Sequence, residues 1–468
     1  MAEKTFEEWQ RTSPDLLVYI PKGAGGPDDA NQHFNVVATP SGALLATWTS
    51  ASRESDPNQR VVFSRSLDRG RTWSAPEAID GPAPDDPPGT GLASWQFLIV
   101  AAGVRAEAIT MEAEPSVSAI CRSSVKRANR PKRGLSQQSA ADGGGARIWC
   151  FYNKNIGIDD ARTADTGVLR GRCSDDDGVS WSEETYDLPI EPNAISHPDP
   201  KVPPTWIVYQ NPTVTPEGAV LAGFTRWASN AVDPGIGMFE RASEVCFLRF
   251  ENILTEPDPG ELIVTTWPKT PHGLSVPNPL RPGINVAQEP TNPSLADGRL
   301  ICPMRTLQGR IYFALSEDDG RSWDEPRVLR YCPGGAPILH PMAPCPLYKL
   351  KDGRFLLLFY NNDGSGHGGN GPTDSANVRN PAWITIGREI PGQRDQPIRF
   401  GPPKVFASTD WVPIPGRDTG TQVATYTSLV EDRGERILFY PDRKHFLLGR
   451  YLTDQWLADC DPDTTNNE

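Results

Sequence analysis

Apolar and polar positions alternate along this chain in short bursts, and the bursts come in pairs. An apolar stretch, a turn carrying Gly or Asp-Gly and a second apolar stretch recur at 36–48, 212–224, 293–304, 345–360 and 426–440. Alternation with a period of two, rich in β-branched and aromatic residues, is the pattern of antiparallel strand pairs. A sixth pair is predicted where 97–103 is followed, after a long interruption, by 146–153. The stretch 286–323 shows the unit in full: three short strands, the first entered by Glu289, the second left by Arg305, the third running into Ser316. No apolar run approaches the roughly 18–20 residues that cross a bilayer, so no membrane segment is predicted.

A second motif follows three of the pairs, with the spacing Ser-x-Asp-x-Gly-x-Ser/Thr-Trp. It occurs at Ser66–Trp73, Ser174–Trp181 and Ser316–Trp323. Its logic is local: the Asp accepts hydrogen bonds from the backbone of its own turn, the Gly permits a left-handed conformation, and the Trp packs across neighbouring strands. These residues read as turn locks rather than catalytic groups.

Three such boxes within six hairpins resemble the sialidase (neuraminidase) superfamily of BNR-repeat, or Asp-box, proteins. The resemblance implies an all-β fold, a six-bladed β-propeller with four-stranded antiparallel blades and Asp-box turns, and a ligand site at one mouth of the central channel. On this reading residues 1–468 form one domain, and the strand at 16–21 completes the last blade with strands from 422–452. Closing the ring in this way removes an exposed sheet edge. Residues 104–145 lack strand periodicity and carry Arg122, Lys126, Arg127, Arg130, Lys132 and Arg133; they read first as a disordered surface insertion, second as a retained intron or gene-model error, and third as a nuclear-localisation or nucleic-acid-binding arm. Residues 459–468 read as a short polar tail.

Composition narrows the partners. With 42 Gly and 47 Pro the chain suits many short strands joined by turns, and a net charge of −13 argues against general binding to nucleic acid or anionic membranes. The eight Cys form no Cys-x-x-Cys pair, and Cys150 and Cys246 fall in apolar runs where a buried free thiol is expected. The first residues lack the basic and apolar regions of a signal peptide, so a cytoplasmic location is predicted. No cluster has metal-ligand spacing and no phosphate loop opens a helix, so neither metal nor cofactor is expected. A monomer acting on a glycan with an acidic sugar is the predicted state.

The resemblance also implies a site. Sialidases hold the substrate carboxylate with three Arg, use a Tyr nucleophile served by a Glu base, and protonate the leaving group with an Asp. Glu289 through Arg305 looks like the family segment that runs from that Glu across an Asp-Gly hairpin to a triad Arg. Arg379, after 355–363 and a glycine-rich loop, is similar to the next Arg. Tyr426, opening the strand before the last hairpin, resembles the nucleophile, and Asp56 with Arg53 before it resembles the acid and its substrate-facing Arg. The family's first Arg has no counterpart: Asn35 takes its place, with His33 beside it as a further ligand contact. Two other readings remain open. One is a uronate-directed lyase or other glycosidase using His340 or His367, and the other is a glycan-binding propeller without catalysis.

Overall fold

The computed structural model describes residues 6–464 apart from 24, 84, 88, 102–145, 256–257 and 418–419. The basic insertion at 104–145 and the last four residues therefore lie outside the described residues. Among those described, 27 strands fall into six hydrogen-bonded sheets, and the single α-helix, Asp454–Leu457, is one turn long. Nearly all strand pairs are antiparallel and join neighbours in sequence; the parallel contact is one residue pair, Ser243 with Val286. Five sheets hold four or more strands, and the sheet of Leu300–Met304, Tyr312–Ser316 and Arg327–Val328 holds three. The architecture is an all-β propeller of antiparallel sheets.

Each hairpin read from the alternation is present. Leu44–Ala51 pairs with both Ala30–Ala38 and Arg60–Ser66, and Phe355–Phe359 pairs with Leu347–Lys349 and Ala382–Glu389. Ala93–Ala101 pairs with Arg147–Lys154 across the long interruption, so residues on either side of 102–145 belong to one hairpin. The first strand, Leu16–Tyr19, pairs with Phe446–Tyr451, which joins the two ends of the chain in one sheet. Residues 459–464 are more than a surface tail: Cys460 and Asp461 are buried, and Asp461 pairs with Arg354 and Arg388 of the neighbouring sheet.

The three turn motifs fold alike and reach beyond their own turns. Asp68, Asp176 and Asp318 each accept from the hydroxyl and backbone N–H of the Ser or Thr four residues on. In each turn the Gly N–H donates to the Ser that opens the motif. Gly320 sits at φ +86°, and a Cβ there would meet Leu221 Cδ2 at 2.5 Å, so both conformation and space demand glycine. The Trp of each motif packs on the preceding sheet: Trp73 on Phe439, Trp181 on Phe63, and Trp323 stacked on Phe247 with centroids 4.4 Å apart. The residue after the motif Asp reaches the same neighbour. Arg69 pairs with Glu435, Asp177 accepts from Thr39 and Ser41, and Asp319 accepts from Thr215. The motif is thus a clamp between sheets as well as a turn lock.

Candidate active site

The inner strands turn sharply where they face the axis. Pairing in the first sheet shifts register between Gln32 and Asn35, and in the second between Ser94 and Phe97. His33 and Trp95, inside those irregularities, are left-handed at φ +56° and +55°; Glu289 and Tyr426 share that conformation at +51° and +67°. Left-handed backbone costs a non-glycine residue on the order of 1–2 kcal/mol, and bulges of this kind re-aim side chains. Here all four side chains are aimed at one another or at common neighbours. The His33 ring stacks on Trp95 at 3.3 Å and meets Tyr426 edge-on at 5.1 Å, while Trp95 meets Tyr426 at 5.3 Å.

Glu289 and Arg305 are joined by the hairpin between them. Gln288 and Arg305 exchange backbone hydrogen bonds of 3.0 and 2.9 Å, which leaves Glu289 one step from the Arg305 side chain. Arg305 Nη1 lies 2.7 Å from Glu289 Oε2, an ion pair whose angle falls short of a hydrogen bond, and Arg305 Nη2 donates to Gln288 Oε1 at 2.7 Å. The other carboxylate oxygen, Oε1, accepts from the Tyr426 hydroxyl at 3.1 Å. Arg379 stands alongside, donating to the Met342 carbonyl at 2.6 Å, and the Phe239 ring lies 5.6 Å from the Arg305 guanidinium and 5.5 Å from that of Arg379. Glu289, Arg305, Arg379 and Tyr426 are 1%, 3%, 2% and 4% exposed.

Burial sets the charges. It raises the Glu289 carboxyl above its ordinary range against the pull of Arg305 and Arg379, and it raises the Tyr426 phenol well above 10, with Glu289 adding to the effect. Arg379 is pushed down by burial, since its direct partners are a carbonyl and Gln422 rather than a carboxylate. Several polar atoms here have no protein hydrogen bond among the described residues: Glu289 Oε2, Arg305 Nε and Nη1, Arg379 Nε and His33 Nε2. Buried polar atoms are usually paired, which makes this cluster a candidate ligand site.

The other predicted residues are placed as follows. His33 borders Tyr426, its Nδ1 is 2.9 Å from Thr49 Oγ1, and burial holds its pKa well below 6.5, so the ring is neutral. Asn35 is buried but turned to the second sheet, donating to the Gln96 carbonyl at 2.7 Å. Asp56 accepts from Ser52 Oγ at 2.5 Å within its own loop. Arg53 lines a cavity of about 350 Å³ together with Glu54, Arg417, Gln422 and Lys444. His340 has both ring nitrogens engaged, by the Ala343 carbonyl and the Tyr360 N–H, and His367 packs on Trp411.

Four charged side chains, Lys444, Glu54, Arg162 and Asp165, escaped the sequence reading as site residues. Lys444 lies 5.7 Å from the Tyr426 ring centre and 2.6 Å from Glu54 Oε2, and Arg162 reaches both Glu54 and Asp165. Nothing in their local sequence sets them apart from surface charges. Among the described residues no group of His, Cys, Asp and Glu is arranged to hold a metal ion.

No family model matches the chain, and no curated protein matches its sequence. Solved structures do match. The chain aligns with the NanB sialidase from Streptococcus pneumoniae at a TM-score of 0.54 and 11% identity, covering 95% of this chain and 71% of that one. A Hadza microbial sialidase, Hz136, aligns at 0.53 and 15% identity, over 91% of this chain and 66% of its own length. A protein of unknown function from Dyadobacter fermentans aligns at 0.52 and 14% identity, over 94% and 97%. The chain therefore has a sialidase-like fold, and spans about two thirds of the Hadza enzyme.

Proposed function

We propose that this protein is an exo-glycosidase of the sialidase type that removes terminal acidic sugars, sialic acid or a relative, from glycans. The observation that carries the reading is the Tyr426 hydroxyl donating to Glu289 at 3.1 Å, with two guanidiniums beside the pair. A carboxylate nucleophile would be repelled by the acidic sugar's own carboxylate; a phenol that stays neutral until it reacts is not. In the first step Tyr426 Oη bonds to the anomeric carbon as that carbon's bond to the leaving oxygen breaks. The phenol proton passes to Glu289, and the leaving oxygen takes a proton from an acid on the open side. Water then attacks the same carbon, Tyr426 leaves with the proton held by Glu289, and the acid is reprotonated by the water. Two displacements retain the anomeric configuration.

Arg305 and Arg379 would hold the substrate carboxylate, with Arg53 and His33 at its edges and Asn35 supporting the strand behind. The acid/base would be Asp56 of the 52–59 loop, by resemblance. We also read the three-stranded sheet as a sixth blade, because its Trp323 grips the preceding sheet as Trp73 and Trp181 do. A fluorogenic α-sialoside and a fluorogenic β-glucuronide test the reading directly. Turnover of one that is lost in Tyr426→Phe is expected. No turnover of either, or turnover indifferent to Tyr426→Phe, overturns it. Binding without turnover would mark a glycan-binding propeller, and release of an unsaturated uronate a lyase.

A further inference from the structure

An acidic sugar in this site meets two buried guanidiniums, and the first sheet, where a third is expected, adds only the exposed Arg53 on its 52–59 loop. Asn35 is committed to the Gln96 carbonyl, and His33 is neutral. A cation nevertheless stands at this edge of the site, delivered by a different sheet. Lys444 belongs to the turn between Glu435–Asp442 and Phe446–Tyr451, and its carbonyl accepts from the Asn31 N–H at 2.8 Å, which ties the turn to the first inner strand. The preceding residue, Arg443, is fully buried, bound through its backbone N–H to the Gln422 carbonyl and through its side chain to Asp442 and to the Glu8 carbonyl. The Lys444 backbone is thus held from both sides.

Its side chain reaches back across the mouth. The ammonium lies 5.7 Å from the Tyr426 ring centre, shares a cavity of about 350 Å³ with Gln422, which contacts Arg379 Nη1 at 3.4 Å, and is 12% exposed. Its carboxylate partner among the described residues, Glu54, is 37% exposed and sits on a surface loop, the more displaceable end of a 2.6 Å pair. Arg162 approaches Glu54 from the other side at 3.4 Å, so Glu54 keeps a cationic partner if Lys444 turns away.

We propose that Lys444 is the third cation of the carboxylate-binding group, with Glu54 as the counter-ion it exchanges for the ligand's carboxylate. This rests on the reading of the site as one for acidic sugars. Burial disfavours the charge of Lys444, as does Arg379 nearby, while Glu54 offsets both; an incoming carboxylate supplies the same compensation. A lysine is a compact point charge without the planar fork of an arginine, so it holds the carboxylate through one oxygen, leaving the bidentate contact to Arg305 or Arg379.

The test is calorimetric titration of the full chain with N-acetylneuraminic acid, D-glucuronic acid and their methyl esters. The wild type binds at least one acid more tightly than its ester. Lys444→Met weakens that acid by about ten- to a hundredfold, the loss of one charge-assisted contact, and leaves the ester unchanged. Lys444→Arg retains the preference for the acid, and Glu54→Gln binds the acid no more weakly than the wild type, because it removes a competitor. Acid binding that is equal in the wild type and Lys444→Met overturns the proposal while leaving the acidic-sugar site standing. So does equal weakening of acid and ester in both Lys444→Met and Glu54→Gln, which marks a structural pair. A wild type that binds neither acid overturns the site reading itself, and this proposal with it.

Discussion

Tyr426 and Glu289 stand 137 residues apart in the chain, and the Tyr426 hydroxyl donates to the Glu289 carboxylate at 3.1 Å. Both residues hold left-handed backbone conformations, both are almost fully buried, and both have pKa values raised by that burial. Packing alone gives no reason to build such a pair beside two guanidiniums. Strain and perturbed titration of this kind concentrate where a chain binds or reacts.

Tyr426→Phe removes the proposed nucleophile and lowers kcat on an acidic glycoside by roughly 10³-fold or more. Glu289→Gln removes the base and lowers it by about 10²–10⁴-fold. Steady-state kinetics on the fluorogenic substrates check both. Similar kcat values in either variant and the wild type would separate the pair from the chemistry.

Among the described residues, Arg379 is a buried cation without a carboxylate of its own. Arg379→Met should therefore weaken acidic-sugar binding by about ten- to a hundredfold without loss of stability, with a gain of roughly 1 kcal/mol expected from relief of the buried charge. Calorimetric binding and urea denaturation measure the two effects. A stability loss of several kcal/mol would make Arg379 a structural residue.

His340 is pushed down to about 3 by burial, against the hydrogen bond to the Ala343 carbonyl that favours its charge. The ring is neutral in the fold, whereas in the unfolded chain it titrates near the ordinary 6.5 of a free imidazole side chain. Between about 3 and 6.5 the unfolded state binds the extra proton, so the stability owed to this group is full above that window and is lost as the pH falls through it. Glu289, shifted upward, acts in the opposite direction, so the comparison has to be between variants. Denaturation midpoints of wild type and His340→Gln should converge as the pH is lowered from 7 to about 4. A constant gap would show that His340 does not titrate between the states.

Trp323 stacks on Phe247 of the preceding sheet, and Asp318 closes the turn that carries it. Because the indole is only half-buried, Trp323→Ala should cost about 2 kcal/mol, and Asp318→Ala about 1–3 kcal/mol from its lost charge-assisted hydrogen bonds. Both sit in turn locks that make no contact with the candidate site residues, so sugar binding at saturating stability should be unchanged. Urea denaturation beside a binding titration distinguishes this from a role in the site.

The hairpins were legible because strand alternation and Asp-Gly turns are local. Apart from the pair interrupted at 102–145, each joins stretches close in sequence, and register follows from which face is apolar. Glu289 and Arg305 were legible as the two ends of one hairpin, but their ion pair was not. The reach of the Trp and of Arg69, Asp177 and Asp319 into the preceding sheet was not, since the motif shows only its own turn.

What the sequence determined by itself was the repeat of strand pairs and turn locks. The tertiary structure decided which side chains meet there. It turned Asn35 toward Gln96, kept Asp56 with Ser52, and brought Lys444, Glu54 and Arg162 to the mouth from three separate sheets or loops. The reason is physical. Strand formation depends on neighbours in sequence, but the charge balance of a buried site depends on distances across the ring. Residues such as Lys444 carry no local mark of the partners that the closed ring supplies.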